Sequence, residues 1–267
     1  MTHGIIPFPA PAGSGAGLVP PSRTTPTLLL LGPIMVTGVR GNPPPRAEHS
    51  CLEYLAWILE HPHATPREMS RGLGVAEGTR RSNMSRLRGW LGQAEDGRSY
   101  LPEAYSGRIR LDDAVSSDWF QLCVLVHGGV ENAPTERLSR ALTLVRGAPL
   151  ADAAPGQWHW AEEMRTDMIS VIRDVGLQLG RRLLASRDIA EARWAIGQAL
   201  LAAPGDELLL ALKIQIESAA GNHTEVERLA TSIIRDARLR RVDLNRGTIA
   251  VLQRAIEGSL RAGAMAA

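Results

Sequence analysis

Between Gly78 and Gly92 the chain reads T-R-R-S-N-M-S-R-L-R-G-W-L, with arginines at 80, 81, 86 and 88 and no acid. At 100° per residue Met84, Leu87 and Leu91 share one helical face, with Trp90 beside them, while Arg81, Ser82, Ser85, Arg86 and Gly89 point away. A guanidinium fork matches the O6/N7 edge of guanine and the oxygens of phosphate, and short serine side chains let a backbone approach closely. Docked by its apolar side, such a helix suits a DNA major groove; a solvated helix face in an arginine-rich chain shows the same pattern, and charge alone weighs the two equally. The candidate contacts are Arg80, Arg81, Ser82, Ser85, Arg86 and Arg88. A second pair, Arg108 and Arg110 in S-G-R-I-R-L, alternates with Ile109 and Leu111, so both arginines project from the outer side of a strand. A wing touching phosphate or a minor groove and an ordinary amphipathic strand fit this pair equally well.

No other cluster carries chemistry as clearly. His61, His63 and His159 lack a cysteine or carboxylate at a recognisable ligand spacing, so no metal is expected. Cys51 and Cys123 lie in apolar stretches without a CxxC or a nucleophile motif and read as buried thiols, and Glu162-Glu163 reads as a solvated helix face. Gly13-Ser14-Gly15-Ala16-Gly17 lacks the preceding strand and the following Lys-Ser/Thr of a phosphate loop. No enzyme and no cofactor is expected. Trp158-His159-Trp160 suits either a groove for a ligand or packing between helices, and packing is the favoured reading.

The elements that must position the basic helix follow from breakers and periodicity. Residues 1–27 are rich in Pro, Gly, Ser and Thr and read as a disordered leader or linker, without the basic and apolar regions of a signal peptide. T-L-L-L-L-G-P-I-M-V-T-G-V from Thr27 fits two short strands split by Gly32-Pro33. Leu52, Leu55, Ala56 and Leu59 predict a helix over 47–60, and Thr65-Pro66-Arg67-Glu68 is a capping box that starts a second, short helix at Pro66. A turn at 75–78 then leads into a third helix over 79–91, the helix-turn-helix arrangement of a DNA reader. Two β-like pieces near 98–101 and 107–111 complete a wing, and the domain runs over 28–113.

Residues 114–262 read as helices only, followed by a flexible tail at 263–267. Leu179-Gly180, Leu183, Ala192, Ile196, Ala199 and Pro204 fall at tetratricopeptide (TPR) spacing, and a shift of 34 residues lays Arg187-Asp188 on Gly221-Asn222 and Glu191 on Glu225. The whole is mainly α, a winged helix-turn-helix followed by an all-α TPR-like repeat domain. Its 267 residues carry a formal charge of only +2, which excludes a uniformly basic binder and requires any nucleic-acid site to be local. The longest apolar run, Leu28 to Val36, is far short of the ~20 residues that cross a bilayer, and the chain is expected in the cytoplasm.

In this order the pieces resemble an actinobacterial family in which a winged helix of the response-regulator output type precedes a bacterial transcriptional activator domain, as in antibiotic regulatory (SARP-type) proteins. The likeness covers about residues 28–262. It rests on LLLLGPIMVTG at 28–38, MSRLRGWLG at 84–92, YLPEAYSGRIRL at 100–111, SDWFQL at 117–122, LVRGAPLAD at 144–152 and WAEEMRTDMISVIRDV at 160–175. The resemblance implies a recognition helix at 79–91 with contacts to double-stranded DNA at Arg81, Ser82, Ser85, Arg86 and Arg88, and a wing carrying Arg108 and Arg110. Arg80-Arg81 and Asn83 depart from the small or polar residues usual before the S-R-L-R core. The helical domain is implied to serve self-association and contact with RNA polymerase subunits. The family also includes modules at the carboxy end of larger membrane proteins, often with LysM-type peptidoglycan-binding repeats. A second function therefore stays open, that of a protein-interaction module derived from a regulator and attached to a membrane protein.

Overall fold

The computed structural model describes residues 25–104, 107–153 and 157–266, so the expected leader lies outside the described residues up to position 24. The two expected strands form as β1 (Thr27–Leu29) and β2 (Met35–Thr37), and they pair antiparallel with Leu28 opposite Val36. β3 (Ser116–Ser117) adds in parallel on the other side of β1, giving the order β2-β1-β3. The third strand thus comes from the point where the sequence turns helical.

Past β1 the chain leaves the sheet, and its amides need other partners. The N–H groups of buried Leu30 and Leu31 donate to the carboxylate of Asp118, at 2.7 and 3.1 Å, at the head of α4 (Asp118–Leu125). Arg146 and Leu150 in turn donate their backbone N–H groups to the carbonyls of Leu31 and Leu30. This bonding ties the amino-terminal sheet to the helical region, and one apolar core runs from Leu28 through Leu87 and Leu142 to Ile216.

The helix-turn-helix is built by α1 (Glu48–Glu60), α2 (Pro66–Gly72) and α3 (Glu77–Leu91). Cys51, Leu52, Leu55 and Ala56 are buried on α1. At α2 the capping box forms in full, Thr65 accepting the Glu68 N–H and Glu68 reaching back to the Thr65 N–H. α3 begins at Glu77, two residues before the predicted start, because Ala76 is already extended and the Arg80 N–H bonds the Ala76 carbonyl.

The remaining helices are α5 (Thr135–Thr143), α6 (Glu162–Ala185), α7 (Ile189–Ala202), α8 (Glu207–Ala219), α9 (His223–Arg240) and α10 (Arg246–Ala266), with one 3-10 turn at His159–Ala161. α10 continues through residues 263–266, where the sequence suggests a tail. α6 packs on α7, α7 on α8, and α8 on both α9 and α10. The 34-residue period has a structural counterpart. Arg187 and Gly221 both adopt positive φ, 63° and 71°, and Asp188 and Asn222 each follow as an N-cap accepting from Glu191 and Glu225.

Gly176 lets α6 and α7 meet. A Cβ there would lie 2.3 Å from the Ala199 Cβ, so any side chain forces the helices apart. Gly176→Leu is expected to lower the thermal midpoint by roughly 5–10 °C despite leucine's better helix propensity, and a midpoint at or above wild type would contradict this packing.

Candidate nucleic-acid interface

α3 divides as its periodicity predicts. Met84, Leu87, Trp90 and Leu91 are buried, joined by Asn83 and Arg80, whereas Arg81, Ser82, Ser85, Arg86 and Gly89 are exposed. α1 backs the inner face, where the Cys51 thiol donates to the Asn83 carbonyl. Burial pushes that thiol up to about 11 and the Cys123 thiol up to about 12, so both stay protonated; Cys51 is fully buried, whereas Cys123 is only half-buried. The carboxy end of α3 is closed by the loop at 40–41, whose N–H groups donate to the Leu91 and Trp90 carbonyls.

The outer face is low and basic. Gly78, Ser82, Ser85 and Gly89 recur at helical spacing along it, and a methyl group added at either glycine would meet nothing within 4 Å. Internal packing therefore does not require glycine at these sites, although each costs about 1 kcal/mol of helix propensity relative to alanine. The small residues leave room for an outside surface to reach the helix backbone. Arg81, with a side chain 72% exposed, pairs with Glu77 one turn earlier, and Arg86 donates to Asn83 Oδ1 at 2.9 Å. Both guanidinium groups are held at the rim of this face.

Two arginines expected as contacts lie elsewhere. Arg80 is only 8% exposed; its Nε donates to Ser70 Oγ at 3.1 Å and fastens α3 to α2. At 100° per residue Arg80 falls within the apolar stripe, four residues before Met84 and seven before Leu87, and its long stem covers apolar surface there. Arg88 is half-buried and turns to the following segment, donating to the Leu101 carbonyl at 2.8 Å and pairing with Glu103 at 3.6 Å. Arg80→Ala is expected to cost about 1–2 kcal/mol of folding stability and to leave the salt dependence of any DNA binding unchanged. A changed salt slope in a folded Arg80→Ala protein would return it to the contact set.

Among the described residues the expected wing pieces at 98–101 and 107–111 do not form a strand ladder. Among the described residues the only bridge in this region joins Gln93 to Ser99, across a turn at Glu95–Gly97, and 107–111 bonds instead to the α1–α2 loop. The Ile109 N–H donates to the Ala64 carbonyl, and Arg108 donates to the His63 carbonyl at 2.9 Å. Arg108 is thereby tied beside the start of α2, while Arg110 is exposed. The alternating pattern recorded burial, with Ile109 inside and both arginines outside, and pairing with a loop satisfies it as well as a ladder does.

Sequence reading also missed Ser70, Asn83 and Glu77, which hold Arg80, Arg86 and Arg81. Glu77, four residues before Arg81, and Asn83, three before Arg86, carry a helical-spacing signal, whereas Ser70 carries none. Among the described residues no group of His, Cys, Asp and Glu has the geometry of a metal site, and no helix is long and apolar enough to cross a membrane.

No protein-family model and no curated protein matches the sequence. The fold is similar to that of EmbR from Mycobacterium tuberculosis, solved in complex with a low-affinity phosphopeptide. The similarity has a TM-score of 0.60, spans 91% of this chain and 69% of EmbR, and comes with 18% sequence identity. It shows a shared architecture, a winged-helix type of domain joined to a helical one.

Proposed function

We propose that the chain is a sequence-specific DNA-binding regulator of transcription, reading a major groove with α3. Residues 28–113 form the reader, and the TPR-like repeats over 114–262 serve protein contacts, including RNA polymerase subunits. The observation that carries this reading is the outer face of α3. Arg81 and Arg86 flank Ser82 and Ser85 on a surface open to solvent, while the inner face is fixed by α1, by Ser70 and by the 40–41 loop. A rigid helix with basic rims and small residues between them matches the shape and charge of the groove floor and its phosphates. Arg110 adds a phosphate contact, and Arg108 supports the start of α2.

Capture of fragmented genomic DNA on the purified full chain, at two salt concentrations and followed by sequencing, tests the proposal. A short motif should be enriched at both concentrations, over a non-specific background that falls at higher salt. Absence of any motif at the lower salt concentration would instead make the chain an interaction module built on a regulator fold.

A further inference from the structure

The Trp158-His159-Trp160 segment lies against α1 and the end of α2. Trp158 is buried and non-glycine, yet its backbone is left-handed at φ 60° and ψ 33°, a conformation held only where the surroundings impose it. Its ring stacks on that of Trp160, with centroids 5.8 Å apart and planes 18° from parallel. The Trp160 indole N–H donates to Glu53 Oε1 at 3.3 Å, and the Trp158 backbone N–H also points to that carboxylate. Glu53 is half-buried on α1 and forms no ion pair with an Arg or Lys among the described residues. Burial pushes its carboxyl up, against the opposing pull of the Trp160 and Trp158 N–H groups and of the neighbouring His159.

Beside Glu53 lies a cavity of about 240 Å³, bordered by His49 and Ser50 of α1, by the end of α2 and by residues 157–160. A carboxylate next to indole rings attracts a cation, and a planar guanidinium both forks to the carboxylate and lies against an aromatic face. The volume suits one small group; drug-sized ligands occupy ~300–1,000 Å³. We propose that this cavity binds a small guanidinium cation, paired to Glu53 and packed against Trp158 and Trp160. One wall belongs to the helices that support α3, and the other leads directly into α6. On the DNA-binding reading above, on which this last step rests, occupancy links the reader to the helical repeats and makes the cavity an effector site.

The test uses the full chain without DNA, so its outcome is separate from that of the DNA-binding proposal. Tryptophan fluorescence and calorimetry are followed while arginine, or a capped Gly-Arg-Gly peptide, is titrated in. Saturation by arginine alone assigns a free small molecule, and saturation by both assigns a guanidinium that a partner's side chain can also present. Glu53→Gln should weaken binding by about tenfold or more, and Ser50→Phe, which fills the cavity and leaves Glu53 in place, should abolish it. No saturation by either probe up to about 10 mM, or wild-type affinity in both folded variants, overturns the proposal.

Discussion

Replacing Arg81 and Arg86 together by alanine is expected to weaken binding to the enriched DNA motif by about 2–4 kcal/mol, roughly 30-fold to 1,000-fold, with little change in thermal stability. Both side chains are exposed, and their partners inside the protein are Glu77 and Asn83, so removing them opens no cavity. A surface ion pair between residues four apart on a helix is worth only a few tenths of a kcal/mol, which keeps the folding cost small. On DNA the same groups meet guanine edges or phosphates, where each bidentate base contact contributes ~1–3 kcal/mol. The salt dependence separates the two kinds of contact. Wild type, neutralising about four to six phosphates, should show log K falling with log salt at a slope of about −4 to −5; loss of two phosphate contacts brings this nearer −2 to −3, whereas loss of base contacts leaves the slope and relaxes the motif. Unchanged affinity in the double variant, measured by fluorescence anisotropy, would remove α3 as the reading helix.

The second large effect concerns the joint that holds the reader on the helical region. Asp118→Ala is expected to destabilise the fold by about 3–5 kcal/mol, measured by urea denaturation. The substitution leaves the buried N–H groups of Leu30 and Leu31 without an acceptor and takes the neighbouring carboxylate from Arg146, 3.7 Å away. Asp118→Asn keeps one acceptor oxygen and should cost less than alanine. Burial raises the Asp118 carboxyl pKa, while the two amides and Arg146 oppose that shift. A group whose pKa rises on folding favours the fold below its unfolded value and loses that contribution as pH increases through the folded value. Acid should therefore leave this joint intact, with its electrostatic cost felt at neutral pH. A loss under about 1 kcal/mol in Asp118→Ala would show that the joint is held by the β1–β3 pairing, the other backbone bonds and apolar packing, without a measurable share from this carboxylate.

What was legible in the sequence follows from how local each feature is. The α2 capping box and the Gly32-Pro33 turn are set by residues within a few positions of one another, and each forms as read, while the 34-residue register that lays Asp188 on Asn222 turns out to mark two N-caps. The exposed half of α3 was legible for the same reason, because periodicity alone decides which residues face the core. Features that depend on distant partners were not. Periodicity puts Arg80 on the inner face with Met84 and Leu87, but its partner there, Ser70, comes from another helix ten residues earlier and has no local signal. Asp118 opens a helix with an acid, an ordinary signal, and nothing local connects it to amides 87 and 88 positions away. Within the wing region alternation does not mean a ladder, since Ile109 pairs with a loop reached only through the fold. Glu53 and Trp160 are separated by 107 residues, so although Trp158-His159-Trp160 suggests a groove as the lesser alternative, nothing local points to Glu53 as its other wall.

Whether the Arg81–Arg86 face of α3 reads base edges in the major groove is decided by methylation interference on a captured fragment. Dimethyl sulfate places a methyl group on guanine N7, inside that groove and at an atom an arginine fork would use. Methylation at one or more guanines of the enriched motif should exclude the fragment from the bound fraction, and the Arg81→Ala/Arg86→Ala protein should lose this discrimination. Bound and free fractions with identical methylation patterns, on a fragment the wild-type chain binds tightly, would contradict base reading by this face.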